Sequence, residues 1–564
     1  MKDKFKSYII IIMMISIIVS IPLFSQEYNI YIDDGIQHVC RIMGTYQSVT
    51  EGQAFFVIMS NFCNGFGYSW NLFYSPVTAY IPLLFHFMAN SFVLDIKIFI
   101  VLVTIFSGIT MYKLLYTVTQ NKYVGLLGAG IYILAPYRLT DMYIRMALAE
   151  LTSFIFLPMV FQGLYMLFHN EKMNTKKPEI ILVIGAIGLV LTHLIMAMYT
   201  AIIAFVYLLI NIKKMKEKVI LKKLFISLIF IVCITSFFLL PMLEQKNNTD
   251  YEVFQPGRME RTEALVYYKL DLIDFIYTEK GNMVFEIGFV TIIGLFLTIF
   301  AYRKVDKKYK KFYLFLLITG IVSIVMTLKW FPFEKLPAIL KMLQFSFRLL
   351  EFSSFFFAIV VSINYGIMIK DFKMKDVIAL TTIICLLLIP MMIRNVPYKE
   401  KIMNESNLWP AVRVTESTKR VHAGCASFEY LPSKAFEHLD YIKTRENRVY
   451  VLQGQAQIIN EEKRGTNMTF DVVNVEVGTK LELPYIYYSG YEVILKEEDK
   501  ETKIATKESE NGFVEICIED EIKRGNVVVK YTGTTIMKIS TIISILGFTG
   551  FILYGCINRK NRKS

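Results

Sequence analysis

Long apolar runs alternate with short basic clusters along most of this chain, and this alternation restricts the fold more than any other feature. The first run, 8–24, is long enough to cross a bilayer as a helix and follows Lys2, Lys4 and Lys6. Of the 564 residues, 54% are hydrophobic and only 19% are charged, which is too apolar for a soluble protein. The sequence therefore predicts a polytopic α-helical membrane protein.

The basic clusters predict how the chain is oriented. Lys and Arg collect in cytoplasmic loops, so the net charge of +13 reflects topology and indicates no nucleic-acid partner. We expect a multi-pass plasma-membrane protein in the lipid bilayer, with both termini cytoplasmic. The clusters separate about twelve spans of roughly 15 to 25 residues. The predicted spans are 8–24, 94–116, 123–137, 150–168, 180–193, 196–211, 225–243, 286–302, 312–329, 346–369, 377–393 and 535–556.

Two stretches do not fit a simple span. The run 180–210 is too long for one helix and has basic flanks on both sides, so it predicts two short helices that meet near His193 on the outer side. The stretch 76–90 is short for a span and is predicted to lie along the outer interface.

The chain changes character after the eleventh span. Segments such as "MTFDVVNVEV" and "NVVVKYTG" alternate apolar and polar residues between Gly, Asn and charged turns, which is the pattern of half-exposed strands. This predicts an extracytoplasmic β-sandwich over 394–534, between a transmembrane domain at 1–393 and a final span with a basic tail at 535–564.

The predicted outer loops are 25–93, 138–149 and 244–285, and the first contains clustered ionisable residues. Asp34, His38 and Arg41 are spaced i, i+4 and i+7, so in a helix they project from one face. Asp33 is adjacent to them. A solvated helix with an i, i+4 ion pair is the alternative to a site. A disulfide between Cys40 and Cys63 is also left open.

The second outer loop places more charges at a membrane edge. Arg138, Asp141 and Arg145 are spaced i, i+3 and i+7, and Glu150 follows at the start of the next span. Two charged loops on one side of the membrane favour a functional site over a solvated surface.

These stretches resemble a known family. The segments "DGIQHVCR" from Asp34, "GFGY", "FYSP", "PYRLTDMYIRMALAE" and "LTHLIMA" resemble bacterial membrane proteins that carry a 6-pyruvoyl-tetrahydropterin synthase-related domain. "LQFSFRLLEF", "LPYIYYSGYEV" and "VVVKYTGTTIMKIS" are similar to the related YfhO-like membrane proteins. Ser346 departs from this pattern, because relatives commonly have proline there.

The resemblance implies a GT-C type fold, that of a polytopic glycosyltransferase whose first outer loop supplies an acidic residue and whose donor is a polyprenyl-phosphate-linked sugar. Inverting transfer needs a base for the acceptor hydroxyl and a cation for the departing phosphate. Asp34 fits the base, with Asp33 as the less favoured alternative. His38 either orients Asp34, contacts the phosphate or has a structural role.

Arginines are the candidates for the donor phosphate, because a guanidinium matches phosphate oxygens in a bidentate fork. The candidates are Arg41, Arg145 and Arg348. Arg348 begins a span from the outer side, and an ion pair with Glu351, one turn further on, is the alternative to a site.

Three further residues are candidates for supporting roles: Asp141, Glu150 and His193. A hydrogen-bonded packing histidine is the favoured alternative for His193. Carboxylate oxygens suit Mg²⁺ or Mn²⁺, but no spacing here requires a metal, so the metal and any cofactor stay undetermined.

The predicted function is sugar transfer at the outer face to a cell-envelope acceptor, which is a glycan, a glycolipid or a protein. Two alternatives stay open: a transporter or flippase of lipid-linked saccharides, and a non-catalytic scaffold whose β domain binds glycan. Against transport, the charges lie in outer loops and not at mid-membrane in repeated broken helices.

Overall fold

The structure is a computed structural model with no ligand. It describes residues 2–25, 28, 30–53, 58–169, 175–255, 262–277, 283–395, 428–498 and 500–560.

Apolar helices dominate the N-terminal two thirds of the chain. Within the described ranges, seven helical segments are long and apolar enough to cross a membrane: Ser7–Phe24, Phe92–Thr119, Leu148–His169, Lys218–Asn248, Lys310–Thr327, Ser346–Met368 and Thr535–Cys556. The polytopic helical fold is thereby confirmed.

The α-helices that the structure describes have the following bounds: Lys2–Ser20, Gly35–Thr50, Trp70–Phe73, Val77–Ala89, Phe92–Thr119, Lys122–Ile133, Pro136–Tyr143, Leu148–Ser153, Leu157–His169, Lys177–Thr192, Leu194–Ile210, Ile212–Met215, Lys218–Asn248, Thr262–Tyr267, Phe289–Phe296, Thr298–Ala301, Lys310–Thr327, Ala338–Lys341, Leu349–Met368, Met374–Asn395, Ser433–Glu437, Leu439–Thr444 and Thr535–Lys560. Short 3₁₀ turns lie at Ile21–Phe24, Cys63–Gly65, Glu252–Phe254, Leu272–Phe275, Tyr302–Lys304, Phe333–Lys335 and Ser346–Arg348.

Every predicted span contains helix, although several spans are interrupted. The run 180–210 does form two helices, and they meet at His193, which caps the second one by accepting from the Met196 amide at 3.3 Å. The predicted span 286–302 is broken, because its first helix ends at Phe296 and a separate turn follows. The stretch 76–90 forms the helix Val77–Ala89, whose side chains Phe87 and Met88 are exposed.

Over its described residues, 428–498 and 500–534, the C-terminal β domain has nine strands in two antiparallel sheets. The strands are β1 Tyr450–Gln453, β2 Gln457–Arg464, β3 Asn467–Val475, β4 Thr479–Ile486, β5 Tyr491–Glu497, β6 Lys500–Ile504, β7 Thr506–Glu508, β8 Phe513–Ile518 and β9 Ile522–Tyr531. One sheet has the order β1-β4-β8-β7 and the other β2-β3-β9-β5-β6. Residues 396–427 of the predicted domain lie outside the described ranges.

The alternation of apolar and polar residues predicted from the sequence determines which face of each strand packs into the core of the sandwich. In β3, Met468, Phe470 and Val472 are buried while their neighbours are more exposed, so one face of the strand joins the core. Leu481 of the other sheet belongs to the same buried cluster. Gly465, at φ +59°, allows the tight turn between β2 and β3.

The final helix, Thr535–Lys560, packs along Lys218–Asn248. Ser236 donates to the carbonyl of Ser540 at 3.0 Å, so small hydroxyl residues allow a close approach of the two helices. At the far end of this pair, the ammonium of Lys176 lies 3.9 Å from the ring centre of Tyr554. Predicted cytoplasmic lysines and the β domain therefore lie at opposite ends of the bundle, as the predicted topology requires. The side of the membrane that each end faces stays a prediction.

Candidate functional site

The helix Gly35–Thr50, hereafter the loop helix, begins immediately after Asp34. A Cβ atom at Gly35 would lie 1.9 Å from the carbonyl oxygen of Ile30, so only glycine fits this entry turn. The amide of Asp34 donates to the carbonyl of Arg145 at 3.0 Å. The first two charged loops of the sequence therefore meet at the N-terminus of the loop helix, where Asp34 is partly buried and Asp33 is exposed.

Arg41 lies two turns into the loop helix and is buried. Its Nε donates to Asn71 Oδ1 at 2.7 Å, Nη1 to Thr78 Oγ1 at 3.2 Å, and Nη2 to the carbonyls of Tyr74 and Ser75 at 3.0 and 2.9 Å. All four acceptors are neutral oxygens of one loop segment. This geometry makes Arg41 the anchor of that segment, and it does not favour the predicted contact with a donor phosphate.

Arg145 is buried among acids. Its Nη1 lies 2.6 Å from Asp141 Oδ1 and 3.0 Å from Glu150 Oε2. The Tyr137 hydroxyl donates to the other carboxylate oxygen of Glu150, and the guanidinium stacks over the Phe347 ring at 4.9 Å. These contacts hold Arg145 and Glu150 in place, as expected for a buried ion pair with additional hydrogen bonds.

Arg348 reaches the same carboxylate from another part of the chain. Its Nε lies 3.2 Å from Glu150 Oε2, and its Nη1 donates to the Leu343 carbonyl at 3.0 Å and to Gln344 Oε1 at 2.6 Å. The alternative ion pair with Glu351 is wrong, because the Glu351 carboxylate accepts from Ser153 instead. Within the described ranges, Nη2 of Arg348 forms no hydrogen bond.

Two histidines lie beside these arginines. His193 Nδ1 accepts from the Met196 amide, so in the neutral tautomer the proton is on Nε2. His38 packs edge-on against Tyr74, with 6.3 Å between ring centres, and its nitrogens have no hydrogen-bond partner among the described residues. Burial lowers the pKa of His38 to about 3, helped by the charge of Arg41, so the ring is neutral at physiological pH.

Tyr74 connects the two groups of residues. The pKa of its hydroxyl is raised to about 12, mainly by burial and also by the charges of Asp34 and Glu150, while Arg41 and Arg348 act in the opposite direction. His193 in turn lowers the pKa of His38. Asp34 and Arg348 therefore act on Tyr74, and His193 acts on the neighbouring His38, although these residues come from three separate parts of the sequence.

The positions of the carboxylates also determine whether this site could hold a metal ion. No group of three His, Cys, Asp or Glu side chains in the described part of the chain is arranged to hold a metal ion. The Arg145 guanidinium already occupies the space between Asp141 and Glu150. These two carboxylates therefore do not fit Mg²⁺ or Mn²⁺, and we derive no step through a metal. Cys40 and Cys63, the pair considered for a disulfide, are both buried free thiols.

Sequence reasoning missed the residues that hold the site together. Tyr137, Ser153 and Gln344 each bind one of the buried charged groups. Asn71 lies between the Arg41 guanidinium and Thr45, to which it donates at 2.8 Å. Nothing in their local sequence distinguishes these polar residues, because their partners come from distant positions.

Comparison with known proteins identifies the family. The model of the 6-pyruvoyl-tetrahydropterin synthase related domain, described as a membrane protein, matches residues 72–401, which is more than half of the chain. The chain belongs to this family. It is also 25% identical to an uncharacterized protein of Lactococcus lactis subsp. cremoris (strain MG1363), over 98% of this chain and 96% of that protein.

A solved structure also aligns with this chain. It is the apo form of the oligosaccharyltransferase of Archaeoglobus fulgidus, with a TM-score of 0.42 and 11% identity. The alignment covers 78% of this chain but spans only 58% of the length of that protein.

Proposed function

We propose that this protein is a membrane glycosyltransferase of GT-C type, which transfers a sugar from a polyprenyl-phosphate donor to a cell-envelope acceptor at the outer face of the membrane. The sequence resemblance supplies the reaction class. The observation that carries the assignment to this site is geometric: Arg145 and Arg348 share the Glu150 carboxylate, and the amide of Asp34 donates to the Arg145 carbonyl.

Two hydrogen-bond donors, the Nη2 group of Arg348 and Nε2–H of His193, form no bond with the described part of the protein. Neither atom is among the fully buried polar atoms that lack a partner, whereas the Nε atom of Arg145 is, so the first two are accessible to a ligand. Accessible donors without a protein partner suit an anionic ligand such as a phosphate.

The roles follow from these contacts. Asp34 takes the proton of the acceptor hydroxyl as that hydroxyl attacks the anomeric carbon of the donor. The bond between this carbon and the phosphate oxygen breaks, and Arg348 and His193 stabilise the departing phosphate. Glu150 and Gln344 position Arg348, Arg145 positions Glu150, and neutral His38 lines the acceptor side. Arg41 is given no role in ligand binding, because its nitrogens already donate to residues 71–78.

The test is sugar transfer by membranes that contain the wild type, Asp34→Asn or Asp33→Asn, with radiolabelled polyprenyl-phosphate sugars and matched expression. Asparagine keeps the size of the side chain and removes the base, so we expect Asp34→Asn to lose about 10²–10⁴-fold in transfer rate. Asp33 is the matched control because it is adjacent and exposed.

Each outcome has a defined meaning. Loss in Asp34→Asn with transfer retained in Asp33→Asn supports the proposal. The reverse pattern moves the base to Asp33. Equal transfer by all three proteins contradicts a base in this loop. No transfer by the wild type with any such donor contradicts the proposed donor class.

A further inference from the structure

The segment between the loop helix and Val77 contains a turn, residues 63–66, that we call the tip turn. Cys63, Asn64 and Gly65 all have left-handed backbone conformations, with φ of +51°, +59° and +88°. Two of these three are not glycine. Such conformations persist only where surrounding contacts enforce them.

The β domain supplies these contacts. The Asn64 side chain donates to the Ile442 carbonyl at 3.2 Å, and Asn447 donates to the Asn64 carbonyl at 2.8 Å. Lys463 donates to the Gly65 carbonyl at 2.6 Å, and the Ile486 amide donates to the Phe66 carbonyl at 2.9 Å. The turn is therefore held through both its side chains and its backbone.

The Phe66 ring fills a pocket between cations and aromatic rings of the β domain. It is fully buried and meets Phe513 edge-on, with 5.1 Å between ring centres. The Arg445 guanidinium and the Lys463 ammonium each lie 5.4 Å from its centre. Arg445 is fixed in turn by Glu482, at 3.1 Å.

The Lys463 ammonium is an unusual component of this pocket. Its three hydrogen bonds go to neutral oxygens: the carbonyls of Gly65 and Pro484 and the side chain of Asn447. No carboxylate lies within ion-pair distance of it among the described residues. Two features of the tip turn in its pocket therefore raise the free energy of this arrangement. The Lys463 ammonium is buried without a counter-charge, and residues other than glycine adopt left-handed backbone conformations.

The tip turn is connected to the candidate site by a short chain segment. Asn71, five residues beyond Phe66, is the first of the residues bound by Arg41, and Tyr74 lies in the same segment. The far side of the segment also contacts the β domain, where the rings of Phe73 and Tyr430 stack at 5.6 Å. Displacement of the tip turn therefore acts directly on Tyr74.

We propose that the β domain is a releasable latch on the first loop. When the tip turn lies in its pocket in the β domain, residues 71–78 stay bound to Arg41, and the Tyr74 ring packs against His38. When the turn leaves its pocket, its backbone strain and the burial of Lys463 are relieved, and the segment that carries Tyr74 becomes free to open the site. This proposal concerns loop geometry and does not depend on which group the site transfers.

The test is hydrogen exchange, measured by mass spectrometry on the full-length protein in nanodiscs. Lys463→Met keeps the length of the side chain and removes the ammonium. We expect peptides that contain the protected amides of Gly67, Tyr68 and Tyr74 to exchange at least about tenfold faster. Lys503→Met is the matched control, because Lys503 lies in the same domain but forms only an exposed ion pair with Glu492.

The latch predicts faster exchange from 67 to 75 while β3 and β9 keep wild-type protection. Faster exchange confined to residues 63–66, or no change, contradicts it. If Lys463→Met loosens β3 and β9 as well, Asn447→Ala decides the question. Asn447 is a solvent-accessible partner of both Asn64 and Lys463, so its truncation weakens the seat without opening the core. Wild-type exchange at 67–75 in Asn447→Ala then overturns the proposal.

Discussion

Arg41 and Arg348 are both buried, and both lie at the end of the bundle that contacts the β domain, but the protein uses their guanidinium groups differently. Arg41 makes four hydrogen bonds, all to neutral oxygens of the segment 71–78. Arg348 makes three, one of them to Glu150, and its Nη2 group is left without a bond among the described residues. Two arginines for which the sequence gives the same prediction therefore have different hydrogen-bond environments.

An unused nitrogen does not by itself identify a ligand-binding arginine, because the Nε atom of Arg145 is buried without a partner although Arg145 only positions Glu150. Three hydrogen bonds fix the guanidinium of Arg348, and its Nη2 group, which lacks a partner among the described residues, is not fully buried. A fixed guanidinium with one accessible and unpartnered nitrogen is suited to a ligand.

The largest effect is expected for Arg41→Met. The carbonyls of Tyr74 and Ser75, and the Asn71 side chain, lose their donor, so we expect a loss of roughly 3–9 kcal/mol in stability at about 1–3 kcal/mol per unsatisfied group. Thermal unfolding in detergent measures it. If Arg41 is structural, the activity that remains follows the amount of folded protein. A stable but inactive Arg41→Met would reverse the contrast.

The opposite pattern is expected for Arg348→Gln. Glu150 keeps Arg145 and Tyr137 as partners, so the fold should tolerate the change, while the transfer rate falls by about 10²–10³-fold with the loss of one charged donor. Arg348→Lys is the matched control, because it keeps the charge and loses the planar fork. A variant that unfolds without a specific loss of rate would make Arg348 a second scaffold residue.

The contrast could not be read from the sequence, for a physical reason. Periodicity places Asp34, His38 and Arg41 on one helix face, and this needs only local geometry. The partner of Arg348 is Glu150, 198 positions away. Glu351, one turn further along the same helix, was the local candidate, but its carboxylate binds Ser153. Local spacing cannot decide between partners that tertiary packing supplies.

The membrane spans were the most predictable part of the structure. Hydrophobic length and basic flanks act locally, so even the paired short helices that meet at His193 were anticipated. Interruptions within a span were harder to predict from the sequence. Leu297 divides the predicted span 286–302, and neither a proline nor a glycine lies at that position. The tip turn was also missed, because its conformation is enforced by a domain more than 350 positions further along the chain.

A smaller effect is expected for Tyr137→Phe, which removes the hydroxyl that donates to Glu150 and accepts from Arg145 Nη1 at 3.2 Å. Each hydrogen bond to a charged group contributes about 1.5–3 kcal/mol, so stability should fall by about 3–6 kcal/mol at most. Glu150 would still lie between Arg145 and Arg348, and we expect the transfer rate to fall by about tenfold or less. Thermal unfolding and the rate at saturating donor measure the two effects. A loss of rate as large as that of Arg348→Gln would move Tyr137 into the ligand-binding set.

The smallest effect is the pH dependence of stability due to His38. Burial and the nearby Arg41 hold its pKa at about 3 in the folded protein, whereas the unfolded value is about 6.5. The unfolded chain therefore takes up a proton as the pH falls below about 6.5, which costs the fold ~1.4 kcal/mol at about pH 5.5 and more towards about pH 3. His38→Gln lacks this group, so between about pH 7.5 and 5.5 its Tm should fall less than that of the wild type. Equal falls in the two proteins would mean that the pKa of His38 is the same in the folded and unfolded states, which would contradict the effect of burial.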